Sequence, residues 1–126
     1  MIKGIGVDIV LIERFERQKD KGAFLSQILT DEEMLGTPDG DDQDVYYAKI
    51  FAAKEAVLKA LGCGLRSGSL WHDIVVRGGS EVRLSGRIRC IAEEQSISNI
   101  HLSHSSSRTF VVAIVLCDTN NPEVTA

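Results

Sequence analysis

Apolar positions between residues 45 and 61 recur with helical spacing. On a 3.6-residue wheel, Tyr47, Ile50, Phe51, Val57, Leu58 and Leu61 form one stripe. Ala48, Ala52, Ala56 and Ala60 form a ridge of small side chains on the opposite side, suited to close packing. The pattern predicts a long helix from about Val45 to Leu61, stopped by Gly62. A helix that packs on both faces has little exposed surface for charge. Yet Lys54, Glu55 and Lys59 lie within it, Lys54 near the middle of the apolar stripe.

The rest of the chain divides into short elements with no long linker. Residues Ile2 to Ile12 are rich in β-branched side chains and predict a buried strand. Its alternation sets Ile5, Val7 and Ile9 on one face and Gly4, Gly6 and Asp8 on the other. Glycine inside a strand marks a place where a ligand or another backbone comes close. "ERFERQKDKGAFLSQIL" predicts two helical pieces broken near Gly22, and Thr30 with Glu33 has capping-box spacing for another short helix. "GTPDGDDQD" is a solvated loop. "LWHDIVV", "RGGS" and "EVRL" predict a hairpin, and "GRIRCIAEEQ" a short amphipathic helix. "NIHLS" and "TFVVAIVLC" predict strands joined by a polar loop, "HSSSR". The interleaving of helices with hairpin-like pairs gives an α+β class, and residues 1–126 form one expected domain.

Composition narrows the function without choosing it. The 126 residues are 44% hydrophobic and 25% charged, the balance of a globule that buries roughly two-thirds of its unfolded surface. No apolar run approaches the ~20 residues of a membrane span, and the N-terminus lacks a signal pattern. Cys63, Cys90 and Cys117 are odd in number and widely spaced, which suggests neither a zinc site nor a disulfide framework. Reduced thiols and a cytoplasmic location are expected. A formal net charge of −4 argues against general nucleic-acid binding.

Chemistry enters with the misplaced charges. Asp8 could simply end its strand or cap the next helix, and Glu55 with Lys59 has the spacing of a surface salt bridge. Such a pair returns only a few tenths of a kcal/mol for charges set near a packed surface. A hard cation accounts for Asp8 and Glu55 better, because Mg²⁺ is held by one or two carboxylates plus phosphates and waters. The lysines would then meet phosphate oxygens as point charges.

At these residues the chain resembles a known family. "GIGVDIV", "FAAKEAVLKALG" and "HLSHS" resemble, in order, the three signatures of the holo-acyl-carrier-protein synthases, the small phosphopantetheinyl transferases. "ILTDEE" and "DIVV" extend the likeness over nearly the whole chain. The resemblance implies an antiparallel sheet packed against the long central helix. It also implies Mg²⁺-dependent transfer of phosphopantetheine from coenzyme A to a serine of apo acyl carrier protein, in support of fatty acid biosynthesis. By the same resemblance Asp8 and Glu55 would hold the metal, Lys59 and His104 would act in catalysis, and Lys54 would support the coenzyme. Gly62, Gly64, Ser103, His104 and Ser105 would line the coenzyme, and Arg14 and Arg17 would meet the acidic carrier. Relatives of this size are typically homotrimers with sites at subunit boundaries. Three positions depart from the family pattern: Ile50 where an arginine is usual, Cys63 where a small hydroxyl residue is usual, and Glu81 in place of a proline. Two other readings are a different Mg²⁺-dependent phosphate enzyme and a non-catalytic module that binds coenzyme A or the carrier.

Overall fold

Strand β1 (Ile2–Leu11) opens the chain and pairs antiparallel with β5 (Phe110–Asp118), which pairs in turn with β4 (Asn99–Ser106). The computed structural model describes residues 1–63 and 71–120. This three-stranded sheet, ordered β1-β5-β4, packs its inner face on helix α4 (Gln43–Ala60). Around α4 lie the short helices α1 (Glu13–Glu16), α2 (Lys21–Ile28) and α3 (Asp31–Leu35). The hairpin of β2 (Ile74–Arg77) and β3 (Glu81–Leu84) follows, and α5 (Gly86–Glu94) leads to β4.

Helix α4 begins two residues before the expected Val45 and ends where glycine predicts. Gly62 has φ +72°, and the amides of Gly62 and Cys63 return to the carbonyls of Lys59 and Leu58 at 3.1 and 2.8 Å. This closes the helix with a glycine in the left-handed region. Both faces of α4 are buried, from Tyr47 through Leu58. The apolar stripe meets an aromatic group in which Phe15 lies 5.8 Å from Phe51, and Phe51 lies 5.4 Å from Trp71. Each such ring pair adds about 0.5–1.5 kcal/mol beyond its buried area.

The alanine ridge meets the two glycines of β1. A Cβ on Gly4 would stand 2.1 Å from the carbonyl oxygen of Ala60, and one on Gly6 would stand 1.9 Å from that of Ala56. The space beside these glycines is therefore filled by the backbone of α4, not by a ligand. It follows that Ile5, Val7, Ile9 and Leu11 face outward, joined across the sheet by Phe110 and Ile114. Within Ile2 to Ile12 the expectation of burial holds for Gly6, Val10 and Ile12 only, and Ile9 remains 64% exposed.

Two boundaries also differ from expectation. The first helical segment breaks at Arg17–Asp20, because the Asp20 carboxylate accepts from the Ala23 amide at 3.1 Å and starts α2 there; Gly22 lies inside the helix. Strand β4 runs through His104 to Ser106, since β5 supplies hydrogen-bond partners along its whole length, and only Ser107–Thr109 turn the chain. Gly64, expected at the coenzyme, lies outside the described residues together with most of "GCGLRSGS".

The Gly6–Ala56 contact makes a quantitative prediction. Gly6→Ala forces a methyl into a backbone carbonyl and should cost about 3 kcal/mol in thermal or urea unfolding. Gly22→Ala, whose nearest neighbour would be 4.0 Å away in a helix, should instead gain up to about 1 kcal/mol.

Candidate active site

Close packing of β1 on α4 brings the two acidic residues to one place. Asp8 lies on the inner row of β1, and its carboxylate accepts from Lys59 Nζ at 2.8 Å; the same ammonium donates to the Val7 carbonyl at 3.1 Å. Lys59 thus pairs with Asp8 rather than with Glu55, and half of its side chain remains exposed. Glu55 is buried beside them. Burial, then the charge of Asp8, pushes its carboxyl above the ordinary glutamate range, while Lys59 and Arg14 oppose the shift. No hydrogen-bond donor among the described residues reaches the Glu55 carboxylate. Two carboxylates held together by backbone packing, with cations kept at the rim, fit a hard divalent ion that takes its remaining oxygens from solvent or substrate.

The sheet register extends the site. Asp8 lies opposite Ala113, and Ala113 lies opposite His104, so all three side chains share the inner face. Two strand spacings put the Asp8 and His104 backbones about 10 Å apart. His104 lines a cleft of about 440 Å³ with Tyr46, Lys49, Ile50, Val76 and the Gly78–Gly79 turn. Its Nε2 is buried without a hydrogen-bond partner. Desolvation, and then the Lys49 ammonium, hold the imidazole below the usual 6.5. His104 is therefore a neutral ring with an unused nitrogen inside a cleft, which is the condition of a group awaiting a ligand.

Three assignments change. The Lys54 ammonium does not reach the coenzyme cleft: it is wholly buried and donates to Glu33 Oε1 (2.6 Å), the Ile28 carbonyl (2.6 Å) and the Trp71 carbonyl (3.1 Å). All three of its N–H groups are thereby used. Ser103 and Ser105 alternate with His104 and stand on the outer face, in rows with Ile114 and Val112, so they do not line the same cleft. Gly62 serves as the helix stop. Arg14 stacks its guanidinium 4.9 Å from the centre of the Phe51 ring, one helical turn from Glu55, while Arg17 is exposed and pairs loosely with Glu13 at 3.6 Å. Glu33 carries more than the capping box foreseen for it, because its second oxygen accepts from the Val76 amide at 2.8 Å. Ile50 is buried and lines the cleft wall, and Lys49 lies beside it.

Comparison with known proteins agrees with this fold. Residues 4–115 match the family model of the 4′-phosphopantetheinyl transferase superfamily. A holo-[acyl-carrier-protein] synthase of Vibrio cholerae is 39% identical over 94% of this chain and 98% of its own. The crystal structure of the holo-[acyl-carrier-protein] synthase of Neisseria meningitidis superposes with a TM-score of 0.76 at 37% identity, covering 94% of this chain and 100% of that one. The Bacillus anthracis synthase, in complex with coenzyme A (3′,5′-ADP), gives 0.75 at 32% identity, covering 95% and 99%.

The state of His104 can be followed by NMR. Its ring should titrate below pH 6.5. Because the folded protein binds this proton less readily than the unfolded chain, the stability tied to the neutral ring is complete above pH 6.5 and is lost as pH falls through the folded value. His104→Gln should remove that part of the acid destabilisation. An unchanged pH–stability curve in the variant would contradict the assignment.

Proposed function

The chain belongs to the holo-acyl-carrier-protein synthases of the 4′-phosphopantetheinyl transferase superfamily, and on that premise we propose that Asp8, Glu55 and Lys59 are the site at which the pyrophosphate of coenzyme A is attacked. The reaction transfers the phosphopantetheine arm of coenzyme A to a serine of apo acyl carrier protein and releases adenosine 3′,5′-bisphosphate. It thereby supports fatty acid biosynthesis. The observation that carries the site assignment is the buried Glu55 beside Asp8, two carboxylates joined from distant segments with no hydrogen bond to Glu55 to account for its burial.

Asp8 and Glu55 would hold Mg²⁺, which would supply positive charge to the phosphoryl group and the departing phosphate. The protein's own residues position the reactants. Lys59, half exposed at the rim, has the reach and freedom to leave Asp8 for a phosphate oxygen. His104 offers its unpaired nitrogen to the nucleotide half of the coenzyme, with Lys49 adding positive charge at the same cleft. Ile50 leaves the cleft wall apolar, so Lys49 and His104 bear the contacts to any phosphate there. With Glu13, Arg14 of α1 and Arg17 just past its end line a shallow depression beside β1 whose net positive charge suits an acidic carrier. Phosphoryl transfer of this kind depends on orientation and electrostatics more than on reactive side chains.

The assembly is a homotrimer in the cytoplasm. Its support here is the outer face of β1 and β5, where Ile5, Val7, Ile9, Leu11 and Ile114 are each about half exposed or more and form one continuous apolar surface. The face also displays Ser103 and Ser105, which can then meet a neighbouring subunit's coenzyme rather than their own. Light scattering should give three times the chain mass, and Val7→Glu should yield a smaller species. A wild-type monomer at micromolar concentration would refute the assembly.

Intact-mass spectrometry of an apo acyl carrier protein incubated with coenzyme A and Mg²⁺ tests the site. The carrier should gain one phosphopantetheine, and neither EDTA-treated enzyme nor a serine-to-alanine carrier should support the gain. Asp8→Asn and Glu55→Gln should each slow transfer by at least about a hundredfold. Near-normal transfer by either variant would remove that residue from the metal site. Cleavage of coenzyme A without carrier modification would point to hydrolysis instead.

A further inference from the structure

The buried ion pair of Glu33 and Lys54 touches neither carboxylate of the site, yet it meets the elements on both sides of it. Glu33 Oε1 accepts from the Thr30 amide at 2.8 Å and from Lys54 at 2.6 Å, and Oε2 accepts from the Val76 amide at 2.8 Å. Lys54 adds the carbonyls of Ile28 and Trp71. One pair of charges thus joins the end of α2, the start of α3, the chain entering β2 and the centre of α4.

Stability alone is a poor reason for such a pair, since apolar side chains of similar volume often serve a buried position as well or better. Direction is a better one. At Gly4, Gly6, Ala56 and Ala60 helix α4 meets β1 backbone to backbone. That contact sets how near the helix lies, while its rotation is held by bonds made elsewhere, among them those of Lys59 to Asp8 and the Val7 carbonyl. A rotation of about 10° moves an atom ~6 Å from a helix axis by about 1 Å. Displacements of that size are enough to cost a hundredfold in a positioned reaction. Lys54 precedes Glu55 and projects about a quarter-turn away, so anchoring its ammonium fixes the azimuth of Glu55 as well.

We propose that the Glu33–Lys54 pair is the positioning device of the site: it sets the rotation of α4, and hence Glu55 against Asp8, while the Val76 amide ties the cleft wall to the same carboxylate. The inference rests on the reading of Asp8 and Glu55 as the cation site, and its test separates the two. Mn²⁺ binding in the presence of coenzyme A is measured by electron paramagnetic resonance for wild type, Asp8→Asn and the double variant Glu33→Gln/Lys54→Met. The double variant removes both charges at nearly constant volume.

A positioning role predicts that the double variant keeps a cooperative thermal transition yet binds Mn²⁺ about tenfold more weakly. Its kcat should fall while KM for the carrier stays unchanged. If the double variant does not fold, Glu33→Asp carries the test. It keeps the charge but withdraws it by one methylene, and it should weaken Mn²⁺ in the same way. Wild-type Mn²⁺ affinity and kcat in the folded variant, with binding lost in Asp8→Asn, would overturn the positioning role alone. Equal Mn²⁺ binding by Asp8→Asn and wild type would overturn the cation site and this inference with it.

Discussion

The approach of two backbones, β1 at Gly4 and Gly6 and α4 at Ala56 and Ala60, is the constraint on which the rest of this fold depends. A side chain on either glycine would hold the helix off the sheet by the width of a methyl group or more. With that layer removed, Asp8 at the next inner position of β1 comes within electrostatic reach of Glu55, and Lys59 can bond to both Asp8 and the strand backbone. Sheet order then does the remainder. Because β5 lies between β1 and β4, the same inner row that carries Asp8 also carries His104.

The elements with a strong period were legible in the chain, and what they pack against was less so. The stripe from Tyr47 to Leu61 marks α4 because each position repeats the same angle, and Gly62 stops it for a local steric reason. For β1 the alternation sorts the residues correctly into two faces, but the richness in β-branched side chains points to burial that the outer face does not have. Ile5, Val7 and Ile9 have the hydrophobicity of buried residues, and nothing within the strand says that glycine is what the helix requires. The extent of β4 through "HSS" is likewise set by a partner strand and not by its own serines.

Lys54 shows the same limit in charge. Its place in the middle of an apolar stripe was the available sign that it points inward, but the partner, Glu33, was already accounted for by a capping box. Local rules assign one job per residue, and tertiary structure here gives Glu33 three. The contrast among the buried and half-buried ionisable groups is informative in its own right. Lys54 has every proton placed, whereas Glu55 has no hydrogen bond and His104 keeps an idle nitrogen. Unsatisfied groups of this kind concentrate where a ligand completes them.

The shared duties of Glu33 also bear on how the molecule comes apart. Helix α3 has five residues, well below the ~12 at which an isolated helix persists in water. Its cap is the carboxylate that neutralises Lys54, so fraying of this one turn would strand an ammonium in the protein interior. Slow amide exchange should therefore be found in a surface element that would ordinarily open first, with α3, β2 and the middle of α4 exchanging as one cooperative unit.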